Sequence, residues 1–143
     1  MRVSGDLFEI DANVILRYLL QDNTELSPKA TAIMEAIEDG ELTVSCDPVI
    51  LAEVIWVLGS VYRSPRDKIA FDLAPIIEAR GFLVPNKERY VFALSIYATS
   101  NAHFGDACAC AAALECSDGR LLSFDRDLSR IPGIHRLEKP TTK

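Results

Sequence analysis

The sequence predicts an α/β fold built around a mainly parallel sheet. Short apolar strand candidates alternate with helical stretches along the chain, which is the pattern of a layered α/β protein. Strand candidates that precede helices carry few polar residues, as strands covered on both faces do. Three helical stretches begin with a capping residue followed by proline at the first helical position, where the missing N–H costs nothing. These pairs are Ser27-Pro28, Asp47-Pro48 and Ser64-Pro65.

The elements follow one another in a regular order. The strand candidates are LFEI before Asp11, LTVS at 42–45, FLV at 82–84, LLSF at 121–124 and HRL at 135–137. The helix candidates are NVILRYLL, PKATAIMEAIEDG, PVILAEVIWVLGSVY, PRDKIAFDLAPIIEARG and FGDACACAAALE. Gly40 and Gly81 are expected to end helices, and Pro75 is expected to break or kink its helix.

Length and composition fit a single domain spanning residues 1–143, with 49% hydrophobic residues to form its core. No apolar run approaches the roughly 20 residues of a membrane span. Acids interrupt the apolar residues at the start of the chain, which is not typical of a signal peptide, so we expect a cytoplasmic protein. The net charge of −6 argues against purely electrostatic nucleic-acid binding, unless a divalent metal neutralises an acidic site.

The four cysteines form no C-x-x-C pair. Small buried thiols in a reducing compartment are the favoured interpretation. A zinc site that includes His103 is the alternative, but its spacing matches no common zinc pattern.

Acidic residues recur where a parallel sheet would place a functional site, at the carboxyl ends of strands. Asp11 directly follows LFEI, and Asp125 directly follows LLSF. Asp127 points the same way as Asp125 if the chain is still extended there. Glu53 lies among apolar neighbours within VILAEVIWVL, and Asp106 stands at the head of an alanine-rich helix. We expect these acids to border one edge of the sheet.

Each acid also has a plainer interpretation. Asp11 and Asp106 are good candidates for helix N-caps. Asp125 and Asp127 suit a role in shaping the loop DRDLSRIPG. Glu53 could face solvent, although its apolar neighbours leave little room for an exposed stripe.

Clustered carboxylates repel one another, and a hard divalent cation removes that conflict. Mg²⁺ or Mn²⁺ bound by such acids activates water and stabilises the leaving oxygen of a phosphodiester. The chain contains neither a G-x-x-x-x-G-K-[ST] loop nor a G-x-G-x-x-G fingerprint. Its two histidines offer few candidates for a histidine-based nucleophilic site.

The motifs IDANVILRYLL, LAEVIWVL, HFGDACACAAAL and LLSFDRDLSRIPG occur in this order. In that order they resemble the PIN domain, and more closely the VapC-type toxins of toxin–antitoxin pairs. The resemblance implies a three-layer α/β/α fold with a central, mainly parallel twisted sheet flanked by helices. It also implies Mg²⁺- or Mn²⁺-dependent cleavage of single-stranded RNA, often tRNA or rRNA, by the toxin of a type II module.

By this resemblance, the catalytic metal-binding acids are Asp11, Glu53, Asp106 and Asp125, with Asp127 as a lesser candidate for the fourth ligand. Asn13 and Ser123 match positions that orient the ligands. Two alternatives stay open: a PIN nuclease for RNA maturation or decay without an antitoxin, and a non-catalytic PIN-fold binding protein.

Basic side chains are candidates for positioning RNA phosphates. They are Arg17, Arg63, Arg66, Lys68, Arg126 and Arg130. Arg17 and Arg126 are favoured because they lie near the acids in sequence. The apolar segments LRYLL and VIWVLGSVY predict a homodimer and an antitoxin partner, with Trp56 and Tyr62 expected in the core or an interface.

Overall fold

A computed structural model describes residues 7–140, which form two compact units divided between Lys87 and Glu88. The first unit contains β1 (Leu7–Glu9), α1 (Ala12–Leu20), α2 (Leu26–Glu38), β2 (Thr43–Ser45), α3 (Pro48–Ser60), α4 (Arg66–Glu78) and β3 (Phe82–Leu83). The second contains nearly all of α5 (Lys87–Thr99), then α6 (Phe104–Cys116), β4 (Arg120–Leu122), a 3₁₀ helix (Arg126–Arg130) and β5 (His135–Leu137). That the two units constitute one domain stays a prediction.

All strand pairs in the described part of the chain are parallel, which confirms the predicted α/β class. In the first unit the strand order is β1-β2-β3, with Phe8 opposite Val44 and Val44 opposite Phe82. In the second unit β4 pairs with β5, with Arg120 opposite His135. Strands β1 and β2 therefore run in the same direction, and each is followed by a helix that begins just beyond its carboxyl end.

Two of the three predicted proline starts need correction. Helix α3 begins as expected, because Asp47 Oδ1 accepts a hydrogen bond from the Val49 N–H at 2.9 Å. Helix α2 begins at Leu26 rather than Pro28, because Asn23 Oδ1 accepts from the Leu26 N–H at 2.8 Å and caps the chain earlier. Helix α4 begins at Arg66, with Pro65 rather than Ser64 in the N-cap position.

The expected break at Pro75 is wrong, because α4 continues through it to Glu78. Pro75 is on the exposed side of the helix, while Leu73, Ile76 and Ile77 are buried and hold the last turns against the core. Burial of the opposite face therefore outweighs the one hydrogen bond that proline removes.

Gly81 is required by a close approach of two backbone segments rather than by its conformation. A Cβ atom at this position would lie 2.0 Å from the Leu42 carbonyl oxygen and 2.8 Å from that of Ile37. The Gly81 N–H donates to the same Ile37 carbonyl at 2.9 Å, so the turn joins the end of α2 to the start of β3.

Helix α5 had no counterpart among the predicted elements, since its start follows Pro85-Asn86 and lacks the capping residue followed by proline that marks the other predicted starts. Its buried residues are Ala93, Leu94, Ile96 and Tyr97, a spacing that indicates one buried helical face. The Tyr97 ring packs edge-on against Phe104, with ring centroids 6.3 Å apart, and so anchors α5 to the first turn of α6. Within residues 7–140, none of the helices combines the length and the apolar character needed to cross a membrane.

Candidate functional site

Three of the predicted acids line one cleft of the second unit. Asp106 reaches it from the first turn of α6, and Asp125 and Asp127 reach it from the start of the 3₁₀ helix. The cleft has a volume of about 340 Å³, and Asn101 and Arg130 also line it. The structure thus brings together acids that are far apart in sequence.

Asp106 is not a helix cap. Helix α6 begins at Phe104, whose buried ring fixes the first turn, and the N-cap residue is His103. Asp106 is therefore the third helical residue, and its half-buried side chain has no hydrogen-bond or ion-pair partner within residues 7–140. The N-cap interpretation is wrong here, and no hydrogen bond or ion pair among the described residues accounts for the carboxylate.

Asp125 does shape its loop, as the plainer interpretation predicted. Its Oδ1 accepts a hydrogen bond from the Asp127 N–H at 3.0 Å, and its own N–H donates to Ser123 Oγ at 3.0 Å. Strand β4 ends at Leu122, so Asp125 follows the strand after two intervening residues rather than directly. These hydrogen bonds use only one oxygen of the Asp125 carboxylate and hold its backbone in place.

The buried thiol of Cys110 lies within electrostatic reach of two of these acids. Burial raises the pKa of the Cys110 thiol, and the negative charges of Asp106 and Asp125 raise that pKa further. Both carboxylates thus act on the same atom, which supports their proximity.

Asp11 and Glu53 belong to the first unit. Asp11 follows β1 and caps α1, since its Oδ1 accepts from the Ala12 N–H at 2.7 Å, so its capping role is confirmed. Glu53 is exposed on α3, on one helical stripe with Val49 and Trp56, which are 70% and 64% exposed. The expectation that apolar neighbours leave little room for an exposed stripe is wrong, because the buried face of α3 consists of other residues, namely Leu51, Val54, Ile55 and Leu58.

Arg17 and Arg126, the arginines favoured for positioning RNA phosphates, do not line the cleft, whereas Arg130 does. Arg17 is only 18% exposed and forms an ion pair with Asp22 at 2.7 Å. A hydrogen bond with the Tyr62 side chain is the main cause that raises the pKa of Arg17. Arg126 is exposed. Asn13 is exposed in the first turn of α1.

The thiols divide into protected and accessible groups. Cys46 and Cys110 are buried, Cys108 is half-buried and Cys116 is exposed, so the expectation of buried thiols is wrong for Cys116. Burial raises the pKa of Cys46 to about 12, with smaller effects from Asp47 and Glu9, and burial raises the pKa of Cys108 to about 11.

The family model of the PIN domain matches residues 8–134, which is most of the chain and includes every acid discussed above. The chain belongs to the PIN domain family. PIN domains are generally metal-dependent nucleases, so the chain has a nuclease-type fold that is associated with RNA. No curated protein matches the chain.

The metal on which PIN domains generally depend is compatible with the donors in the cleft. Aspartate oxygens are ligands that Mg²⁺ and Mn²⁺ favour, and the Asp106 carboxylate is uncommitted among the described residues. Within residues 7–140, no three His, Cys, Asp or Glu side chains lie close enough together to hold a metal ion as they stand. The cleft thus fits a hard cation by the chemistry of its carboxylate donors, and not by the present spacing of their side chains.

Proposed function

We propose that this PIN domain is an endoribonuclease that depends on Mg²⁺ or Mn²⁺ and cleaves single-stranded regions of RNA. The observation that carries the proposal is the cleft lined by Asp106, Asp125 and Asp127 within the segment that matches the family. Asp106 has no structural partner in the described part of the chain that would otherwise explain a charge at that position. A carboxylate with no structural contact beside two others suits ligand chemistry better than folding.

The cleft residues are assigned distinct tasks. Asp106 and Asp125 would hold the cation, whose chemistry is the activation of water and the stabilisation of the leaving oxygen of a phosphodiester. Ser123 orients Asp125 through the hydrogen bond to its backbone N–H. Asp11 and Glu53 are further proposed ligands, and their support is the resemblance of their motifs to those of the family. Asn13 is proposed as an orienting residue on the same basis.

Metal dependence is tested by cleavage of a single-stranded RNA labelled with a fluorophore and a quencher. EDTA should abolish cleavage, and Mg²⁺ or Mn²⁺ added in excess should restore it. The Asp106→Asn protein, purified in parallel, controls for a contaminating nuclease, since a contaminant would survive the substitution. Undiminished cleavage in EDTA that disappears in the variant would refute the metal requirement while leaving the site intact.

We further propose that the protein is the toxin of a type II toxin–antitoxin module, with tRNA or rRNA as its target. The support is the order of the four motifs, which resembles VapC-type toxins more closely than other PIN domains. Brief induction in a bacterial host should arrest growth, and mapping of new RNA 5′ ends should reveal a small set of cleavage sites. Processing of precursor ends without growth arrest would instead favour a maturation nuclease.

A homodimer and an antitoxin are the proposed protein partners. Large apolar side chains are exposed on α3, just after its end and on α4 in the first unit. They are Val49, Trp56, Val61, Tyr62 and Phe71, and Phe71 is 79% exposed. Trp56 and Tyr62 are among them, so of their two expected locations, core or interface, the core of one chain is wrong and an interface stays a proposal. Exposed apolar patches of this kind mark protein interfaces. Light scattering at micromolar concentration should give the mass of a dimer, and the mass of a monomer would contradict it.

A further inference from the structure

The 3₁₀ helix of the second unit presents three distinct faces, because side chains three residues apart eclipse one another in this helix. Leu128 and Ile131 share the buried face. Ser129 accepts a hydrogen bond from Arg136 Nε at 3.0 Å, and Arg126 is three residues before it on that same face. The remaining face carries Asp127 and Arg130, and both line the acidic cleft.

Arg130 is available for a ligand. Its side chain is 83% exposed, and its Nη1 is 4.0 Å from Asp127 Oδ1, beyond hydrogen-bond distance. An exposed pair at that separation is weak, so the guanidinium can leave Asp127 at little cost. Both side chains of this pair line the cleft, so the guanidinium needs little displacement to meet a ligand there.

Other arginines of the second unit are engaged elsewhere. Arg89 pairs with Glu115 at 2.8 Å, and Arg120 Nε donates to the Ser117 carbonyl at 3.1 Å. Arg136 donates to the Ser123 carbonyl at 2.8 Å and so braces the loop that leads to the 3₁₀ helix. Of the arginines and lysines in residues 88–140, Arg130 is the one that lines the cleft.

We propose that Arg130 is a positioning residue that binds a phosphate of the RNA strand, exchanging Asp127 for that phosphate when RNA enters. This proposal rests on the proposed nuclease function. A cleft with three carboxylates repels a polyanion, and a cation that lines the same cleft offsets part of that repulsion. Guanidinium binds phosphate through two parallel N–H donors, which fixes the orientation of the strand as well as its position.

The test measures binding of a fluorescein-labelled, 12-nucleotide single-stranded RNA to the full chain in EDTA, by fluorescence anisotropy between 50 and 200 mM KCl. Arg130→Ala should raise Kd about tenfold, the scale of one charge-assisted contact. It should also reduce the slope of log Kd against log salt by about 0.7, the value of one phosphate contact on a single strand. Arg130→Lys should recover part of the affinity.

Arg126→Ala is the matched comparison, because it removes the same charge from the same helix on another face. Lys139→Ala controls for net charge at an exposed position outside the cleft. Equal Kd values and equal salt slopes for the Arg130 and Arg126 variants would overturn the proposal. The same variants assayed for cleavage in Mg²⁺ should show a raised KM for Arg130→Ala with kcat little changed.

The two proposals fail in different ways. Wild-type protein that neither binds nor cleaves RNA refutes the nuclease function and the role of Arg130 with it. Wild-type protein that cleaves RNA, with Arg130→Ala as active and as tightly bound as Arg126→Ala, refutes the role of Arg130 alone. A melting temperature equal to that of the wild type confirms that a loss of affinity does not come from unfolding.

Discussion

Replacement of Asp106 by asparagine separates a catalytic role from a structural one, because the carboxylate makes no hydrogen bond or ion pair with the described residues. Asn keeps the shape of the side chain and removes its charge. Asp106 is in the first turn of α6, where a negative charge is worth about 0.3–1 kcal/mol against the helix dipole. Relief of repulsion from the Asp125 carboxylate offsets part of that loss.

The free energy of unfolding should therefore fall by no more than about 1 kcal/mol. In a chain of 143 residues this corresponds to a decrease in Tm of about 4 °C or less. Cleavage should fall by at least about 100-fold, since loss of groups that merely orient a ligand already costs 10- to 100-fold. Circular dichroism melts and initial cleavage rates measure the two quantities on the same preparation.

Asp118→Asn is the matched control. Asp118 is an exposed acid of the same unit that does not line the cleft, and its φ of 55° suits asparagine as well as aspartate. This variant should keep both Tm and the cleavage rate. An Asp106→Asn protein with the wild-type cleavage rate would refute the assignment of Asp106 as a ligand, and a Tm decrease well above 4 °C would reveal a structural role instead.

Three other changes have clear expected outcomes. Glu53→Gln should lower the cleavage rate strongly. The double variant with Asp106→Asn should be little slower than either single variant, because the effects of residues that act as a unit are not additive. Additive losses of rate would contradict a shared role for Glu53 and Asp106. Maleimide at pH 8 should label Cys116 alone in the native protein, since burial raises the pKa of the other thiols and keeps them protonated; mass spectrometry counts the labels. Gly81→Ala should destabilise the fold by about 1–3 kcal/mol or more, because its Cβ meets backbone at 2.0 Å, whereas Gly105→Ala has open space and should not. Denaturant melts would contradict that contrast if the two variants were equally stable.

Local signals in the sequence predicted much of the fold correctly. Asp47 with Pro48 marks the start of α3 because cap and proline act within a single turn. Strand β5 is at the predicted residues, His135–Leu137, and the parallel pairing follows from strands alternating with helices. Asp11 caps α1 as a residue between strand and helix often does.

Packing decided what local signals could not. Burial of Phe104 placed the start of α6 ahead of Asp106 and so ruled out the plainer interpretation of this acid as an N-cap. Helix α4 continues past Pro75, a residue type that breaks isolated helices, because Leu73, Ile76 and Ile77 around it are buried. In both cases the apolar area buried by a whole helical face outweighs the preference of one residue.

The sequence by itself determined the α/β class, the parallel pairing and the identity of the acids, because strand and helix periodicity and residue chemistry are local properties. Only the tertiary structure decided which side chains share the cleft of the second unit. Arg126 and Arg130 are the same residue type, and both lie within one helical turn of Asp127 in the sequence, so the sequence does not distinguish them. Burial of Leu128 fixes the rotation of the 3₁₀ helix, and that rotation places Arg130 in the cleft and Arg126 outside it.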